Sequence, residues 1–419
     1  AAPRSPYRHL ELCGIALRKK RCPGTAFLFT TVGADSISAR QAAAGSGGYG
    51  IRPYDTMMKI LVATLLVYAL GLLFTAVGSR LAGRCTTWCC ALLGLPMWVV
   101  GGTVAPFCLA LPQLMLAFLA AGMSVTALAV GTALAGAVTN LGLALSVCLL
   151  RKRHCAVADR DEFCRKCLLL LAACGVLAVF VRDGELSYTG TGLLMLLFVL
   201  FVMMSIVFQH KFTYGDTIKA VSTSEKHPSP QLAAQEYGYT AHTMAFPVMN
   251  VRNALTNLAG VAGGLALLAG GAQALLYSAT TLANLTGTIQ ALWAATLISF
   301  GFCIPLLVEA LNHPLGSVWK WFSVRCRYYP PDSLPIQLLN SAILNLTLAL
   351  PISSLMYRHK LPVGAQFRSY EVPVCAAMAL VLLLPPLCRY KLKRGQGWVC
   401  LALYFAYLAA ALLLPRAGA

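Results

Sequence analysis

Apolar residues along this chain come in long, nearly unbroken runs, without the strict alternation of a half-buried strand or the narrow stripe of a surface helix. Ten runs lie near residues 58–79, 91–119, 124–149, 167–182, 189–208, 253–279, 287–312, 333–356, 372–388 and 397–415. Crossing a hydrocarbon core of about 30 Å takes roughly 20 helical residues, so these runs predict membrane-spanning helices. Two polar stretches punctuate them. Residues 1–57 form a basic tail, and residues 209–252 form a loop with a Ser/Pro-rich patch from Ser222 to Pro230. The plan is a tail (1–57), a five-helix unit (58–208), a loop (209–252) and a second five-helix unit (253–419).

Two runs carry helix-disturbing residues near their middle. Gly94 to Phe118 contains Gly101, Gly102, Pro106 and Pro112, and Gly287 to Leu311 contains Gly301 and Pro305. Proline removes a backbone donor and crowds the preceding turn, so both stretches are expected to be interrupted helices. Interruptions at matching places in two halves point to the central site of a secondary transporter. Each is followed by a run of small residues ending in asparagine: Gly131 to Asn140, and Gln337 to Asn345. Five spans per half is an odd number, so the second half must be inverted in the bilayer relative to the first. The fold class expected is an all-α polytopic membrane protein of ten transmembrane helices in two inverted five-helix repeats.

Composition agrees. The 419 residues are 58% hydrophobic and 11% charged, against about 25% charged in a soluble domain. The net charge of +19 belongs to tails and loops, where it meets anionic headgroups and sets orientation. It is no nucleic-acid footprint. Basic residues favour the side of the membrane that holds the central loop, which should therefore face cytosol or matrix. Many of the 16 cysteines sit inside apolar runs, as small buried hydrophobes do; Cys13 and Cys22 in the tail could pair in an oxidising compartment. His154, Cys155, Cys164 and Cys167 are too irregularly spaced for a zinc site and read as structural. No nucleophile–base pair, phosphate loop or nucleotide fingerprint appears, so neither an enzyme nor a cofactor is expected.

The order and spacing of these motifs resemble the cation/calcium exchanger superfamily, which includes sodium/calcium exchangers. Its repeats read G-x-T-x-x-A-x-G-T-S-x-P-E and then G-N-x-x-G-S-N-x-x-N. Gly101 to Gln113 aligns with the first repeat without a gap and keeps Thr103 and Pro112; Gly131 to Asn140 keeps the opening glycine and closing asparagine. In the second half Thr296, Gly301 and Pro305 match, followed by Ser341 and Asn345, and Arg182 to Ser187 is similar to the family's D-G-x-x-S link. The resemblance implies that a glutamate after each proline, with neighbouring hydroxyls, binds calcium or sodium. Here those glutamate positions are Gln113 and Leu306, the hydroxyl runs are Cys108-Leu109-Ala110 and Gly301-Phe302-Cys303, and the third-helix serine is Gly136.

What remains of the family's cation site is Gln113, Asn140, Leu306, Ser341, Asn345, Thr103 and Thr296. Glu309, inside the seventh run, is either a relocated carboxylate or a helix-end residue reaching the interface. Calcium takes six to eight oxygen ligands including carboxylates, so calcium binding and a resident metal are not expected. The reading is a degenerate exchanger-fold protein, non-transporting, serving as a structural or accessory subunit of a larger membrane complex. Its partners are the lipid bilayer and other protein subunits. The Arg- and Ser-rich tail and the absence of an initial Met suggest a processed N-terminus and a mitochondrial inner-membrane location, with the plasma membrane or another organelle as alternative. The rival function is an active secondary transporter, a sodium/calcium-type or other cation antiporter with a carboxylate-poor site.

Overall fold

The computed structural model describes residues 53–92, 103–151, 155–156, 160–181, 183–223, 251–311, 334–357, 360–388 and 391–413. The chain divides into residues 1–58 and 59–419. Of the first unit only the opening turns of the first helix are described; the remaining architecture belongs to the second. Cys13, Cys22 and His154 lie outside the described residues.

The described chain is almost wholly helical. The helices are α1 (Pro53–Leu92), α2 (Ala105–Gly122), α3 (Thr126–Arg151), α4 (Arg160–Phe180), α5 (Tyr188–Thr223), α6 (Val251–Thr286), α7 (residues 290–311), α8 (residues 334–357), α9 (residues 367–388) and α10 (Arg394–Leu413). Among the described residues, nine helices are long and apolar enough to cross a membrane, and α2 supplies a shorter apolar helix, Pro106–Gly122. The protein is an all-α polytopic membrane protein, as its pattern predicts.

Several ends differ from the apolar runs. α1 passes residue 79 and continues through Arg80 and Arg84 to Leu92. Arginine stems lie along apolar surface while their heads reach water, so arginine need not end a spanning helix. α5 likewise continues to Thr223, beyond residue 208 where the apolar run stops. The expected interruptions take a different form. Pro106 sits in the first turn of α2, where its missing N–H costs nothing, and the helix runs on through Pro112. α7 starts after Gly287, whose φ of 65° suits glycine, and passes through Pro305 with a π-helical turn at Ala294–Ile298.

Two antiparallel two-residue ladders tie the halves together at their connections. β1 (Cys155–Ala156), between α3 and α4, pairs with β4 (Lys391–Leu392), between α9 and α10. β2 (Glu185–Leu186), between α4 and α5, pairs with β3 (Leu361–Pro362), between α8 and α9. The chain order of these pairs fits two halves of opposite orientation.

α3 and α8 form the centre: 83% and 89% of their spanning windows are enclosed by protein, against 17% for α1. Small residues let neighbours crowd them. A Cβ on Gly131 would come within 2.6 Å of the Ala294 Cβ, and one on Gly142 within 2.7 Å of the Tyr404 Cβ. α1 and α6 cross by the same device. A Cβ on Gly78 would lie 2.7 Å from the Gly264 carbonyl, so the two backbones touch. Between helices in lipid, such close packing is a main source of attraction.

Candidate functional site

Gln113 reaches the middle of the bundle from α2, one residue after Pro112. Asn140 comes from α3, and Ser341 and Asn345 come one helical turn apart from α8. All four are buried. The asparagines open corresponding π-helical segments, Asn140–Leu145 in α3 and Asn345–Ala349 in α8. Such insertions shift the register of the next turn and recur at functional sites. The sequence expectation that the two asparagines are counterparts is thus visible as a shared backbone feature.

These residues bond to each other across the two halves. The Asn345 Nδ2 donates to the Gln113 Oε1, and the Asn140 Nδ2 donates to the Ser341 Oγ at 3.2 Å. Gly136 makes room for the first pair: a Cβ there would lie 3.2 Å from both the Asn345 Nδ2 and the Gln113 Nε2. The Oδ1 atoms of Asn140 and Asn345 are buried and accept no hydrogen bond from the described residues. Buried amide oxygens normally find a donor, so each is an acceptor at the centre that the described residues leave unsatisfied.

The other expected positions contribute less. Leu306 is buried in the main hydrophobic core. The Thr296 hydroxyl donates to the Leu292 carbonyl of its own helix at 2.7 Å. Thr103 is half-buried just before α2 and engaged in an interaction of its own. In place of the family's hydroxyls, Cys108 is buried and the Cys303 Sγ lies 3.9 Å from the Thr139 carbonyl. Glu309 lies within α7, but its side chain is outside the described residues. Among the described residues no group of three or more His, Cys, Asp or Glu converges as a metal site.

One ionisable residue is hidden by the hydropathy pattern. Glu371 is fully buried at the end of a π-helical segment, Phe367–Glu371, that opens α9. The ninth apolar run begins at Val372 and so leaves Glu371 in a loop. The overlooked signal is periodicity: Phe367, Glu371, Cys375, Met378 and Leu382 recur at helical spacing and are all buried. The glutamate occupies a core position in an otherwise apolar stripe.

Comparison with known proteins fits this geometry. The family profile described as sodium/calcium exchanger protein matches residues 63–207 and 256–413. The solved structure of the sodium-calcium exchanger NCX_Mj soaked with 2.5 mM Na+ and 10 mM Sr2+ superposes with a TM-score of 0.51 at 20% identity, covering 84% of this chain and 99% of that one. The same exchanger soaked with 10 mM Na+ and 10 mM Sr2+ gives 0.50 at 19% identity, covering 83% and 98%. No curated protein sequence matches the chain. The two profile segments span the helices of both five-helix halves, and the chain belongs to the sodium/calcium exchanger protein family.

Proposed function

We propose that this exchanger-family protein has lost calcium exchange and serves as a non-transporting structural or accessory subunit of a larger membrane complex. The observation that carries this reading is the state of the centre. Gln113 and Leu306 stand where the resemblance places carboxylates, and Gln113 pairs with Asn345 and Asn140 with Ser341 across the halves. Stripping water from a divalent cation is costly, and a protein offsets that cost with six to eight oxygens including carboxylates. Two amide oxygens do not. The inter-half pairs also link the two halves at their centre. The basic tail and central loop then offer contact surface, and the mitochondrial inner membrane is the first compartment to search.

The reading is tested by purifying the protein from its native membrane in mild detergent. It should co-migrate on a native gel with a defined set of other subunits at fixed stoichiometry. In sodium-loaded liposomes it should admit calcium no faster than empty liposomes do. A free monomer, or calcium uptake driven by the sodium gradient, overturns it.

A second reading has its own observation. The buried, unpartnered Oδ1 atoms of Asn140 and Asn345 favour an active transporter of a weakly hydrated monovalent cation or a small neutral solute. On that reading, Asn140→Ala and Asn345→Ala each abolish a sodium- or proton-driven flux that the unaltered protein shows.

A further inference from the structure

Glu371 lies outside the central polar group and takes no part in the pairing described there. One of its oxygens, Oε1, accepts a hydrogen bond from the Tyr407 hydroxyl of α10 at 2.8 Å. The other, Oε2, is buried and receives no donor from the described residues. α3 packs against this π-helical segment and carries no titratable side chain from Thr126 to Thr139. α10 contributes Tyr407 and Tyr404, whose rings lie 6.4 Å apart. On α9 itself stand buried Cys375, half-buried Tyr370 and Arg368, which is exposed. From α4, Cys174 reaches Cys375. The buried titratable neighbours among the described residues are thus phenols and thiols, none able to neutralise a carboxylate by charge.

An ionised carboxylate with one hydrogen bond in a dry interior is far too costly to persist, and such groups take up a proton instead. We propose that Glu371 is a proton-binding site of this protein: a carboxylic acid held neutral inside the membrane, with the Tyr407 hydroxyl as its fixed partner. The proton binds Oε2, converting carboxylate to carboxylic acid, while Oε1 keeps the Tyr407 bond. It leaves to water only when α9 and α10 part enough to hydrate the carboxylate, so proton release and helix separation are one event. The site does not depend on whether calcium exchange has been lost.

The test is infrared difference spectroscopy of the full chain in detergent, titrated from acid to alkaline pH, with the Glu371→Gln and Tyr407→Phe variants. At neutral pH the protein should show a carbonyl stretch of a protonated carboxylic acid. That band should vanish in Glu371→Gln and move to higher frequency in Tyr407→Phe, where the hydrogen bond is gone. Glutamine matches the neutral acid in shape, so Glu371→Gln should melt close to the unaltered protein at acid pH, where the glutamate is neutral folded and unfolded alike, and should lose less stability as the pH rises past the ordinary carboxylate range. A neutral-pH spectrum with no band assignable to Glu371 overturns the proposal. So does sodium-dependent stabilisation that Glu371→Gln abolishes, because the site would then hold a metal cation. If Glu371→Gln does not fold, the titration of the unaltered protein and the Tyr407→Phe shift decide the matter.

Discussion

At the residue scale, the centre of the bundle is a set of amides whose value depends on staying paired. Replacing Asn345 by leucine strands the Gln113 oxygen in a dry interior, where an unsatisfied polar group costs about 1–3 kcal/mol. Gln113→Leu strands the Asn345 Nδ2 in the same way. Melting curves in detergent should show both singles destabilised, and the Gln113→Leu/Asn345→Leu double variant destabilised by less than their sum. Gly136→Ser restores the family's residue type, and its Cβ would press on the amides of both Gln113 and Asn345, which must shift by a few tenths of an ångström to admit it. The sequence made much of this legible. Gln113, Asn140, Ser341 and Asn345 could be named because the order and spacing of the glycines, prolines and asparagines around them resemble the exchanger family's repeats. That they bond to one another could not be read, because Gln113 and Asn345 are 232 residues apart. Glu371 escaped because a lone charge at the edge of an apolar run looks like the run's end. Only its place in a helical stripe, with Tyr407 opposite, distinguishes it from a loop residue.

At the element scale, helices were easier to find than to delimit. α1 outran its apolar core because arginines at a helix end can reach water without breaking the helix. The prolines of α2 and α7 disturbed the backbone less than expected. Pro106 falls in a first turn, and in α7 the irregularity appears as a π-helical turn upstream of Pro305. The α1–α6 crossing makes the sharpest prediction here. Its glycines bring backbone to backbone, with a Cβ on Gly271 only 2.8 Å from the Gly71 carbonyl. Gly78→Leu or Gly264→Leu should force the helices apart. Both should lower the melting temperature well beyond Gly175→Leu, at a position where a Cβ meets nothing within 4 Å.

At the scale of the whole molecule, the fold was readable because an odd number of spans per half forces inversion, and because matched motifs recur in each half. Function was less so, since a fold does not dictate what its central site does. The variant Gln113→Glu/Leu306→Glu tests that directly. With carboxylates back, calcium should protect the protein against heat, an effect absent from the unaltered chain; calorimetry with and without calcium reads the difference. The two short ladders carry one more consequence, which concerns how the protein is made. Each joins a connection of the first half to one in the second: β1 waits for β4, and β2 waits for β3. During synthesis, which runs at about 5–20 residues per second, the first five helices therefore enter the bilayer with both strands unmatched and must be kept from wrong partners for the many seconds until residues 361 and 391 emerge. A ribosome stalled before Leu361 should leave a nascent chain that insertion factors still hold and proteases still cut, and one stalled after α10 should release it.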